Sequence, residues 1–133
     1  MTSPDRLMAA GMPAGQAVQI GMPSTPGAGL VGTGGTKATA VQLVAGVNFI
    51  ATCASAGVAA FQLPPAEGSP PVVVEDDGAS SALVYAAGTT DKINALSAGA
   101  SFSVTNGKRA IFFPGKDNSV TPPVGRWSAI LSA

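Results

Sequence analysis

Histidine is absent from this chain, and cysteine occurs once, at Cys53. The first absence removes His-ligated metal sites and the Ser-His and Cys-His catalytic pairs, and a lone cysteine forms no intramolecular disulfide. A single thiol also suits a reducing compartment. Charge is equally scarce, at 11% of 133 residues, with seven Lys plus Arg balanced by seven Asp plus Glu. Nucleic-acid affinity comes mainly from Lys and Arg neutralising phosphates, so no nucleic-acid partner is expected, and an anionic membrane surface loses support for the same reason. The chain is 46% hydrophobic, yet Gly, Pro, Ser and Thr interrupt it before any apolar run reaches the roughly 18 residues a membrane span needs. A soluble protein is the expectation. Met1 to Gly15 has no compact apolar core of the kind a secretory signal carries, so export is not expected either.

Glycine and proline are abundant instead, and their distribution divides the chain. Residues 1–37 hold eight Gly and four Pro, with Gly-Met-Pro at 11–13 and again at 21–23. Glycine raises the entropy lost on ordering and proline removes a backbone donor, so this stretch reads as an extended arm with no packed helix or central strand of its own. Its apolar residues are too sparse for a local core and too numerous for a solvated linker. Met8, Met12, Ile20 and Met22 are therefore read as anchors into a neighbour's surface, with methionine useful for its adaptable packing.

Residues 38–133 have a different texture: short runs of Val, Ile, Thr, Phe and Ala, punctuated by turn residues every 8–12 positions, the spacing of a sandwich or barrel. Strands are expected near Thr39–Val44, Val47–Cys53, Val58–Leu63, Val72–Glu75, Ala82–Ala86, Lys92–Asn94, Ala100–Thr105, Lys108–Phe113 and Arg126–Leu131. Asn106-Gly107 suits a type I′ turn and predicts a hairpin of Ser101–Thr105 with Lys108–Phe113. In its second strand Ala110 and Phe112 share one face, while Ile111 and Phe113 take the other. Apolar residues on both faces make it a central element. Pro64-Pro65, Pro70-Pro71 and Pro122-Pro123 bracket strands by denying backbone donors. Core or interface candidates are Phe49, Phe61, Leu83, Tyr85, Ile93, Leu96, Phe102, Phe112 and Trp127. With many apolar positions occupied only by alanine, the core is modest, and such domains commonly gain stability by oligomerising.

No motif carries convincing catalytic chemistry. Gly27 to Gly32 matches G-x-G-x-x-G, but no strand precedes it and no helix follows, so it reads as a flexible joint between arm and body. Glu75-Asp76-Asp77 lacks the further oxygen ligands a calcium shell needs, and reads as a solvated turn ending at Gly78. Asp91-Lys92 and Lys116-Asp117 read as solvated turn charges. Cys53 has no histidine to lower its pKa and reads as a small buried hydrophobe. No catalytic residue, metal ligand set or cofactor is expected.

Several turn-and-strand patterns occur in order: Thr36-Lys37-Ala38-Thr39-Ala40, Ala54-Ser55-Ala56-Gly57-Val58 leading to Leu63-Pro64-Pro65, and Asp77-Gly78-Ala79 before Leu83-Val84-Tyr85. Asp91-Lys92-Ile93-Asn94 before Ala98-Gly99, Asn106-Gly107-Lys108 before Ala110, and a closing Trp127 complete the series. Taken together, they resemble bacteriophage capsid decoration or cement proteins and related small head-fibre proteins. The resemblance implies an all-β, jelly-roll-like β-sandwich, residues 38–133, on the outer surface of a phage capsid. It also implies a non-enzymatic protein made in the host cytoplasm that binds the major capsid protein and bridges capsomers. Self-association is expected, as a homotrimer from the resemblance or alternatively as a dimer. The alternative role is a base or attachment module of a head fibre, tail fibre or tailspike.

Overall fold

Alternation of inward and outward residues is plainest in Val72–Asp76, where Val72, Val74 and Asp76 are buried while Val73 and Glu75 are half-exposed. A period of two is what a strand with one covered face produces. The computed structural model describes residues 29–32, 34–53, 59–78 and 80–132, and among these it forms ten strands. They are β1 (Leu30–Gly32), β2 (Val41–Gln42), β3 (Gly46–Cys53), β4 (Ala59–Gln62) and β5 (Val72–Asp76). After them come β6 (Ala82–Tyr85), β7 (Lys92–Ile93), β8 (Ser101–Val104), β9 (Arg109–Asp117) and β10 (Val124–Leu131). Each segment expected to be extended holds one of β2 to β10. The only described helix is the short 3₁₀ turn Lys37–Thr39.

Two sheets result, a six-stranded one in the order β1-β3-β5-β9-β10-β7 and a four-stranded one in the order β2-β4-β6-β8. Together they form the expected all-β sandwich. From β1 to β6 the chain alternates between the sheets, so β1, β3 and β5 lie parallel in one while β2, β4 and β6 lie parallel in the other. Antiparallel pairing enters where β8 joins β6, where β9 joins β5, and where β10 joins β9 over eight residue pairs.

Between the sheets lie Phe61, Leu63, Val72, Val74, Val84, Ile93, Val104, Phe112 and Trp127, all essentially without exposure. Phe102 of β8 meets Phe112 of β9 edge to face with ring centroids 5.6 Å apart, tying one sheet to the other. Of the core candidates, Phe61, Ile93, Phe112 and Trp127 are buried, while Leu96 and Phe102 pack at the margin. Phe49, Leu83 and Tyr85 are half-buried.

Two local expectations are corrected. Asn106-Gly107 is not a hairpin turn, because β8 and β9 belong to different sheets. It is a corner between them, with Lys108 N donating to Thr105 O at 3.0 Å, and only Gly107 of the pair takes positive φ. A type I′ turn requires both. Nor is the Gly-rich stretch before residue 37 a joint throughout, since Leu30–Gly32 is β1, parallel to β3 at the sheet edge. The glycine is what permits this: a Cβ on Gly32 would strike Ala59 and come within 2.9 Å of Phe61 Cζ. Composition suggested flexibility where the missing side chain serves close backbone approach.

Candidate interaction surface

Polar side chains that looked like isolated surface charges are mostly built into the framework. Asp76 is buried, at 1% exposure, rather than solvated. Its carboxylate accepts from Gly78 N at 2.9 Å and Ala82 N at 3.0 Å, its N–H donates to Lys108 O, and its carbonyl accepts from Gly107 N. One residue thereby fastens the end of β5 to the start of β6 and to the corner before β9. Burial, the largest cause, pushes its pKa above the ordinary carboxylate value, against the lowering effect of the two N–H donors. Glu75 pairs with Arg109 at 2.7 Å across β5 and β9, so neither is a lone charge.

Several other charges are similarly engaged. Asp91 accepts from Ala66 N at 3.0 Å, Lys116 pairs with Glu67 at 2.9 Å, and Lys92 lies 3.8 Å from Asp117. Hydrogen bonds from Ser119 hold the Asp117 pKa below its ordinary value, with Lys92 and Arg126 lowering it further. Among the described residues no three His, Cys, Asp or Glu side chains converge as a metal site. An open cleft of about 280 Å³ lies between Ala66–Ser69 and Pro114–Lys116, spanned by the Lys116–Glu67 pair. Cys53 ends β3.

Sequence reasoning missed Asn48, which is fully buried in β3. Its Oδ1 accepts from Val44 N at 2.9 Å, and its Nδ2 donates to the carbonyls of Val44, Gly46 and Val73 at 2.8, 3.2 and 3.1 Å. Asn94, at φ 51°, likewise extends the ladder beyond β7: its Oδ1 accepts from Ala129 N at 2.8 Å and its Nδ2 donates to Ala129 O at 3.3 Å. No periodicity announces such residues.

Two features remain for interaction with another molecule. The first is the root of the N-terminal arm. β1 lies at the edge of the six-stranded sheet, with Leu30 opposite Ile50 and packed against the core. The arm anchors Met8, Met12, Ile20 and Met22 lie outside the described residues. The second is the outer face of the same sheet. Val47 is opposite Val73, Val73 opposite Ile111, and Ile111 opposite Ile130, a row of β-branched side chains across β3, β5, β9 and β10. Ile111 is 39% exposed, Phe113 44% and Ile130 63%. The pattern Ala110 to Phe113 signalled a two-sided apolar strand, and β9 is indeed interior to its sheet. The outer side of β9 is open.

No family model, curated protein or solved structure matches the chain.

Proposed function

We propose that this chain is a structural virion protein, a capsid decoration or cement protein that binds the major capsid protein and stabilises a phage head by bridging capsomers. The observation that carries the reading is the root of the arm. Cement must transmit load between subunits, and Leu30–Gly32 joins the arm to a six-stranded sheet through β1 and through Leu30 packed against the core. A pull on the arm is thereby borne by the body.

The ordered series of turn-and-strand patterns resembling cement and head-fibre proteins supports the same reading. Met8, Met12, Ile20 and Met22 are the arm's apolar anchors, and the body forms a homo-oligomer, a trimer where it sits on a threefold or quasi-threefold position. Arm and body held together raise each other's effective concentration, so two modest contacts make an avid one.

The test is truncation at residue 28, which leaves β1 intact. Sedimentation with assembled capsid shells should lose the truncated protein to the supernatant while its circular dichroism remains that of a β protein. Undiminished binding by the truncated, folded protein contradicts the assignment of the arm as the capsid-binding element.

A further inference from the structure

Asn106-Gly107 forms a corner between the sheets, and the pair also carries chemistry of its own. The chain has four asparagines, at positions 48, 94, 106 and 118, and only Asn106 is followed by glycine. An asparagine amide carbon can close a five-membered ring with the backbone nitrogen of the next residue. Glycine leaves that nitrogen uncrowded, because it has no side chain to stand beside the approaching carbon. Asn106 and Gly107 are both exposed, and a Cβ built on Gly107 meets nothing within 4 Å. By contrast, Asn48 and Asn94 hold their amides in hydrogen bonds to backbone groups, and Asn118 precedes Ser119.

The reaction open to this pair needs only water. The Gly107 nitrogen gives its proton to a solvent base and bonds to Cγ of Asn106, the Cγ–Nδ2 bond breaks, and Nδ2 takes a proton from water and leaves as ammonia. The cyclic imide then takes up one water at either carbonyl. It opens to aspartate, or to isoaspartate, in which the chain runs through the former side chain.

The fold works against the first step. Gly107 N, the nucleophile, donates to Asp76 O at 2.7 Å, and Asp76 N donates to Lys108 O at 3.0 Å, so the two segments are bonded in both directions. Lys108 N donates to Thr105 O at 3.0 Å and closes the turn around the pair. Asp76 is itself fixed by burial and by the bonds its carboxylate accepts from Gly78 N and Ala82 N. While these bonds stand, the Gly107 N–H is directed at Asp76 O and the nitrogen keeps its proton, so cyclisation requires the corner to open. We propose that Asn106 is a self-modification site, reactive by its own sequence and held unreactive by the bonds of Asp76 to Gly107 and Lys108, so that deamidation marks molecules whose corner has opened. The mark is lasting, since isoaspartate at 106 adds a backbone carbon to the turn that Thr105 and Lys108 close. The inference does not rest on the capsid reading, since it concerns the isolated protein in solution.

The experiment incubates the full chain at neutral pH, folded in buffer and unfolded in guanidinium chloride, and follows all four asparagines by peptide mass spectrometry, with isoaspartate peptides separated chromatographically from aspartate ones. In the unfolded chain Asn106 should react fastest of the four. In the folded protein its rate should fall about tenfold or more, because local opening must come first. Equal rates at Asn106 in the two states overturn the proposal, because the corner then guards nothing. Faster reaction at another asparagine of the unfolded chain also overturns it. Asp76→Ala and Asn48→Ala then locate the guard, compared at denaturant concentrations that give the two folded variants equal unfolding free energy. Asp76→Ala should react severalfold faster at Asn106 than Asn48→Ala. Equal rates in these variants contradict the assignment to Asp76, because reaction then follows global unfolding. If Asp76→Ala does not fold, the folded and unfolded wild-type rates decide.

Discussion

Asn48 and Asp76 do more for this fold than any exposed charge, since each satisfies several backbone groups that would otherwise be buried unpaired. Asn48→Ala leaves Val44 N–H without its Oδ1 acceptor and three carbonyls without the Nδ2 donor. A loss on the order of 3 kcal/mol is expected in urea unfolding at neutral pH, from stranded groups costing about 1–3 kcal/mol each. Asp76→Ala strands Gly78 N–H and Ala82 N–H in the same way and should also be clearly destabilising. The pH dependence has a definite sign. Because the folded pKa of Asp76 is raised, the folded state holds this proton more tightly than the unfolded state. The contribution of Asp76 is then full below the unfolded pKa and diminishes as pH rises through the raised value. The stability gap between wild type and Asp76→Ala should narrow over that window. Asp117 has the opposite sign: its lowered pKa gives a contribution present above the unfolded pKa and lost as pH falls. Parallel unfolding curves from acid to neutral pH for Asp76→Ala and Asp117→Asn check both directions.

At the scale of the element, β1 depends on a residue with no side chain. Gly32→Val places a branched side chain against Ala59 and Phe61 and should displace β1 from β3. The measurement is amide exchange, expected to accelerate at Leu30–Gly32 and at the neighbouring residues of β3 while the β9–β10 ladder stays protected. Retained protection at β1 contradicts this account of its docking. Two of the errors in reading the sequence were errors about elements. Period-two alternation and bracketing prolines made nine strand segments legible, because those signals act within a few residues. The hairpin at Asn106-Gly107 was misread because a turn dipeptide says nothing about which sheet receives the next strand. Val104 continues into the four-stranded sheet and Arg109 into the six-stranded one. β1 was hidden because glycine enrichment reads as disorder, whereas Gly32 permits contact with Phe61. The polar clamps at Asn48 and Asp76 were illegible for a related reason. Their partners, such as Val73 for Asn48 and Ala82 for Asp76, meet them only after the chain has wound between the sheets.

For the whole molecule, the winding from β1 to β6 alternates between the sheets, so these strands stack as successive coils, and among the described strands only the consecutive pair β9 and β10 forms a local hairpin. The Phe102–Phe112 contact and the Asp76 clamp lock the coils across the sandwich. In the proposed role Met8 and Met12 are among the anchors offered to the capsid. Met8→Asp combined with Met12→Asp should therefore abolish sedimentation with capsid shells while leaving the urea unfolding midpoint of the body unchanged, separating partner binding from folding. The central claim, that the protein is cement, is tested most directly by its copy number in purified virions relative to the major capsid protein, measured by quantitative gel densitometry. The account predicts a ratio near stoichiometric with the capsid lattice positions that cement occupies. A ratio confined to a few special sites would contradict it in favour of a fibre base, and absence from the virion would contradict both.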